Sequence, residues 1–147
     1  MLVHQILAYT AGRLPHKPAL VEGDTTLTYA ETLARVQALA AALEQRGVRP
    51  GDRVALLMPN CIEFCLAYFA VLSLGAIVVP LNNRLAPPEM TYILNDSGAE
   101  TLILGYQFGQ VYRQFAADLE RTPRLIHAGD DPPPGAEDFA QLSRPGP

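Results

Sequence analysis

From Phe64 to Leu81 the sequence carries no charged side chain. A run of this kind either spans a bilayer or fills a soluble core. A membrane-spanning helix needs about 20 continuous helical, mostly apolar residues. Gly75 interrupts the run, and Ile77-Val78-Val79 after it is β-branched and prefers a strand. Pro80 then pushes Val79 away from helical backbone angles. No tryptophan flanks the run, and the next charge is the single Arg84 rather than a basic cluster. The run is therefore expected to be a buried helix, Cys61 to Leu74, turning at Gly75 into a strand from Ala76 to Val79. No membrane span is expected.

That helix-to-strand corner sits in a longer alternation. Val3, Ile6 and Leu7 recur at helical spacing, so a short helix is expected to end near Gly12. Pro15 and Pro18 break the chain. Ala19 to Val21 and Thr26 to Thr28 flank Glu22-Gly23-Asp24-Thr25, which predicts a small hairpin. Thr28-Tyr29-Ala30-Glu31 has the spacing of a capping box, and Leu33, Val36, Ala40 and Leu43 give the helix behind it an apolar stripe. Arg53 to Met58 is short and apolar enough for a buried strand. Asn60, with Glu63 three residues on, is expected to cap the next helix. A helix from Pro87 to about Asn95, a strand from Thr101 to Leu104, a helix from Phe108 to Leu119 and a strand from Arg124 to Ile126 complete the series.

Strands alternating with helices imply an α/β fold with a parallel sheet (βαβαβαβ). Helices cover both faces if the chain reverses direction once. The expected domain is residues 1–128, with the hairpin near its start. Residues 129–147, rich in Pro, Gly and acid, are expected to form a loop or mobile tail.

Composition narrows the function. The formal net charge is -4 and the pI about 5.3, so no concentrated basic patch for nucleic acid is expected. Cys61 and Cys65 share a helix face and read as small buried hydrophobes; His4, His16 and His127 are scattered, without metal-ligand spacing. The first residues lack a basic segment ahead of their apolar ones, which points to a cytoplasmic setting. There is no G-x-G-x-x-G, no Gly-rich run ending in Lys-Ser/Thr and no G-x-S-x-G. At the predicted strand ends, Asn60 reads first as a helix cap, Asn82 and Asn83 as a turn, and Arg84 as a surface arginine able to grip a phosphate or carboxylate. By themselves these residues form no catalytic constellation.

Three stretches carry more, together with their order and spacing: LTYAETLARVQALAAALEQRGVRPGDRVALLMPN, EFCLAYFAVLSLGAIVVPLNNRL and EMTYILNDSGAETLI. They resemble the N-terminal part of adenylate-forming (AMP-binding) enzymes. LTYAE is similar to the first core motif of that superfamily and LGAIVVPLN to the second. PLNNRL with YILNDSGA looks most like the acyl-CoA ligase branch. The resemblance implies a parent that activates a fatty or aromatic carboxylic acid with ATP and Mg²⁺ and passes the acyl group to coenzyme A. It also implies that the Ser/Thr/Gly-rich phosphate loop ending in Pro-Lys-Gly, the ribose-binding aspartate and the catalytic lysine lie outside these residues. Lys17, the one lysine here, does not match that lysine. Ala86 stands where relatives often carry a Thr or Ser cap. Arg84 matches by position an arginine near the coenzyme A nucleotide. The expectation is a catalytically inert ligase segment with no cofactor of its own; the alternative is a non-catalytic module that self-associates, as a homodimer, through exposed apolar surface.

Overall fold

The computed structural model describes residues 1–146. Helix α1 (Val3–Arg13) precedes a two-stranded antiparallel hairpin, β1 (Pro18–Glu22) and β2 (Thr25–Thr28). Then follow α2 (Tyr29–Gln45), β3 (Arg53–Leu57), α3 (Ile62–Ser73), β4 (Ile77–Pro80), α4 (Pro87–Ser97), β5 (Thr101–Gly105), α5 (Phe108–Phe115) and β6 (Arg124–Ala128). The chain closes with β7 (Glu137–Asp138) and α6 (Phe139–Leu142).

Five strands form one parallel sheet in the order β4-β3-β5-β6-β7. The chain steps from β3 outwards to β4, then crosses back past β3 to β5 and continues the other way. That single reversal sends α3 and α4 to opposite faces, as in doubly wound sheets. Side-chain alternation along each strand produces two cores. Val54, Leu56, Ile103 and Ile126 face Leu39 and Leu43 of α2 and Ala67 and Val71 of α3. Ala55, Leu57, Leu102, Leu104 and Leu125 face Met90 and Leu94 of α4 and Phe115 of α5. Strands buried on both sides must be apolar throughout, which is why RVALL and TLILG carry no polar alternation after their first residues.

The uncharged run folds as expected, as α3 followed by β4. At 12 residues α3 is about 18 Å long, well short of a bilayer core. No helix among the described residues is long and apolar enough to cross a membrane. Outside it, α1 packs on α2 and α3 and leaves Leu2, Val3, Ile6 and Tyr9 more than half exposed.

Local signals mostly hold. The Thr28–Glu31 box forms, with Glu31 N donating to Thr28 Oγ1 at 3.2 Å and Thr28 N to Glu31 Oε2 at 2.8 Å. Ala86 has no side-chain acceptor, yet its own N–H still donates to Glu89 Oε2 at 2.7 Å, so half of a box survives there. The helix expected to reach Leu119 stops at Phe115 and tightens into a 3-10 turn over Ala116–Asp118.

The stretch expected as a loop or mobile tail differs most. Glu137–Asp138 pair with Ile126 and His127 as a fifth strand, and Phe139 and Ser143 are buried. The ion pair between Glu137 and Arg46 ties this segment to the end of α2, with Arg46 Nε 2.9 Å from both carboxylate oxygens and Nη2 2.6 Å from Oε2. The Arg46 hydrogen bonds hold the Glu137 carboxyl below its ordinary value of 4.5. A depressed carboxylate stabilises the fold above its unfolded pKa, and that contribution is lost as pH falls through the folded value. Glu137→Gln should therefore lower stability by about 1 kcal/mol at pH 7, since solvent screens a pair this exposed. The difference should begin to narrow as pH falls below 4.5 and narrow further through the lower folded value, which urea unfolding at pH 7 and pH 3 would check; a deficit unchanged in acid would contradict it.

Candidate functional site

In open α/β sheets, ligands bind beyond the carboxyl ends of the strands, where the strand order reverses. Here that point lies between β3 and β5. Met58 follows the first, and Gly105 ends the second, with Tyr106 directly after it. Beside it is a crevice of about 250 Å³ between the hairpin, α3, α6 and the ends of β5 and β6.

Tyr106 dominates the crevice. Its φ of 55° is left-handed, a conformation that a bulky residue adopts only when its surroundings enforce it. Three contacts do so. Its N–H donates to Ala128 O at 2.8 Å, its carbonyl accepts from Gly109 N at 3.2 Å, and its hydroxyl donates to Glu63 Oε1 at 2.9 Å. Its ring lies so close to Gly129 that a Cβ added there would be 3.1 Å from Cδ1. Gly129 also has a φ of 103°, so glycine is required at that position on two counts.

Glu63 takes a different role from the one its spacing suggests. The N-cap of α3 is Cys61, not Asn60, and its side chain makes no capping bond. Instead Glu22, from the hairpin, accepts the first-turn amide of Ile62 at 2.8 Å. That cap comes from 40 residues away, so local spacing could not reveal it. Glu63 is thereby freed for Tyr106, while its second oxygen, Oε2, is buried without a partner among the described residues. Burial first, and then Glu63, push the Tyr106 phenol well above its usual range. Burial also pushes the Cys61 thiol up to about 12, with the Glu63 carboxylate adding to the effect. Neither group is poised as a nucleophile at neutral pH. Of the two cysteines, Cys61 is buried and Cys65 partly so, and both are free thiols.

The other residues singled out in the sequence lie elsewhere. Asn82 makes a turn as expected, accepting Arg84 N at Oδ1 at 2.9 Å. Arg84 is exposed on the loop after β4, at the same end of the sheet as the crevice but on the edge strand beyond β3, and it does not line the crevice. His127 is buried in β6 with both ring nitrogens unpartnered among the described residues, against the backbone of α5. Among the described residues no group of three or more His, Cys, Asp or Glu side chains could hold a metal ion. Among the described residues no strand end carries a glycine-rich phosphate cradle. These residues therefore do not fit Mg²⁺ or the phosphates of ATP, and no chemical step is assigned to them.

The family model described as "AMP-binding enzyme" matches residues 7–144, nearly the whole chain. The chain belongs to the AMP-binding enzyme family. Among similar proteins, feruloyl-CoA synthase from Amycolatopsis is 46% identical over 122 residues, covering 82% of this chain and 25% of that protein. The 3-hydroxybenzoate/4-hydroxybenzoate–CoA ligase of Thauera aromatica is 36% identical over 82% of this chain and 23% of its own length. Among solved structures, the anthranilate CoA ligase AuaEII superposes with a TM-score of 0.92 at 30% identity, over 100% of this chain and 28% of that one. This chain thus spans about a quarter of the length of the curated relatives that it matches. The superposition extends to the end of the sheet, β7 and α6 included.

Proposed function

We propose that these residues form the N-terminal scaffold of an AMP-forming ligase that joins a carboxylic acid to coenzyme A. The observation that carries this reading is the continuous match to acid–CoA ligases along both sequence and fold. In the complete ligase the acid, fatty or aromatic, would react with ATP to an acyl-adenylate and then with coenzyme A. The resemblance assigns phosphate binding and transition-state stabilisation to residues outside this segment, and charge stabilisation of that kind usually contributes more to catalysis than any other effect. What the segment supplies is rigidity: a doubly covered sheet whose strand ends present fixed surfaces to the rest of the enzyme. The soluble, cytoplasmic setting belongs to the same proposal, as does the coenzyme A nucleotide as the ligand of Arg84.

The test has two arms. The isolated 147-residue chain should show no ATP–pyrophosphate exchange with ferulate, hydroxybenzoates or fatty acids; robust exchange would refute the inert-scaffold reading. A chimera in which the chain replaces the matching segment of feruloyl-CoA synthase should fold and keep feruloyl-CoA formation within about tenfold, a barrier change on the order of 1.4 kcal/mol. A folded but inactive chimera would count against the ligase assignment. In that chimera Arg84→Ala should raise KM for coenzyme A and leave KM for the acid unchanged.

A further inference from the structure

A second concavity lies at the other end of the sheet, a groove of about 560 Å³ across the amino ends of β3, β5 and β6. Arg53, Thr101 and Arg124 are the first residues of those strands. The register sets Val54 beside Thr101 and Thr101 beside Arg124. Arg124 therefore shares a face with Val54, while Arg53, one residue earlier, points to the opposite face. Two strand spacings of about 4.8 Å put their backbones about 10 Å apart, with Thr101 between them.

Although the whole chain is acidic, four arginines line this groove. Two are already engaged: Arg46 by Glu137 and Arg121 by Glu100. Arg124 gives one nitrogen, Nη1, to the carbonyl of Arg46, which leaves its other donors free. That contact neutralises the carbonyl end of α2 and gives Arg124 a structural reason to be there. Arg53 has no such reason, since it makes no side-chain hydrogen bond or ion pair among the described residues. The neighbouring acid, Asp52, also lines the groove, with one carboxylate oxygen, Oδ2, accepting the amide of Arg49 at 2.8 Å.

We propose that this groove binds a small multivalent anion, with one phosphate or carboxylate group on Arg53, a second on Arg124, and Thr101 beneath the link between them. Guanidinium groups suit such ligands because each can donate two parallel hydrogen bonds to one anionic group. The site is at the opposite end of the sheet from the crevice and does not depend on the ligase reading.

Calorimetric titration of the chain with inorganic pyrophosphate and with citrate, at ionic strength fixed with sodium chloride, tests it. Saturable binding of at least one of them is expected, with a Kd on the order of 1 mM or below. Orthophosphate should bind at least about fivefold more weakly, because it cannot bridge the two arginines. Arg53→Gln should weaken binding about five- to tenfold without moving the unfolding midpoint, because that side chain holds nothing else. No saturation by either probe at about 20 mM, orthophosphate binding as tightly as pyrophosphate, or an unchanged Kd in Arg53→Gln would each overturn the proposal.

Discussion

Phe139→Ala should lower the unfolding free energy of this chain by about 3–5 kcal/mol. Phe139 is 2% exposed and belongs to the same core as Leu39, Ile126 and Met58. Truncating it removes the largest side chain that the last segment contributes and leaves a cavity that the rigid sheet can close only in part. The two-residue strand before it could not stay in place by its hydrogen bonds alone, so the exchange protection of β6 amides should fall as well. Chemical denaturation of the variant measures the first effect and amide exchange at His127, whose N–H is on the β7 side of the strand, the second. A change below about 1 kcal/mol would mean that the segment from Gly129 onwards does not pack as described.

The second large effect concerns the crevice. Gly129→Ala should cost about 2 kcal/mol, because an alanine must adopt a φ of 103° and also sit 3.1 Å from the Tyr106 ring. The two contributions are separable by a double-mutant cycle. In a Tyr106→Ala background the new methyl meets no ring, so the penalty should fall to the backbone part alone, about 1 kcal/mol. An equal cost in both backgrounds would show that the ring does not press on Gly129. Tyr106→Ala alone should also free Glu63, which then has no donor on either oxygen among the described residues.

How legible all this is in the sequence depends on the distance over which each feature is decided. β-branched runs such as Ile77-Val78-Val79 and the box at Thr28 and Glu31 are local, and they appear in the structure where the sequence puts them. The family resemblance also rests on contiguous residues, LTYAE and LGAIVVPLN among them, and the match over residues 7–144 bears it out. Features closed by distant partners are hidden. Asn60 looks like the cap of α3 because Asn is a strong cap, yet Glu22 takes the first amide from the hairpin. Glu137 and Asp138 sit among prolines and glycines with no strand pattern, and only β6 beside them makes them a strand. Nor does any local rule foretell that Tyr106, at a strand end, must turn left-handed; that follows from the placement of Ala128, Gly109 and Glu63 around it.

The outer flank of β4 has a consequence of its own. Ile77 and Leu81 direct their amides to β3, so the residues between them that face outwards are Val78 and Pro80. Proline has no amide hydrogen, which leaves Val78 as the single backbone donor on that side of the strand. An unfolded neighbour drifting against this greasy border would find one rung where a ladder is needed. Fibril growth by docking onto it is thereby discouraged, and one ring closure at Pro80 does the work that a row of lysines does in other sheets.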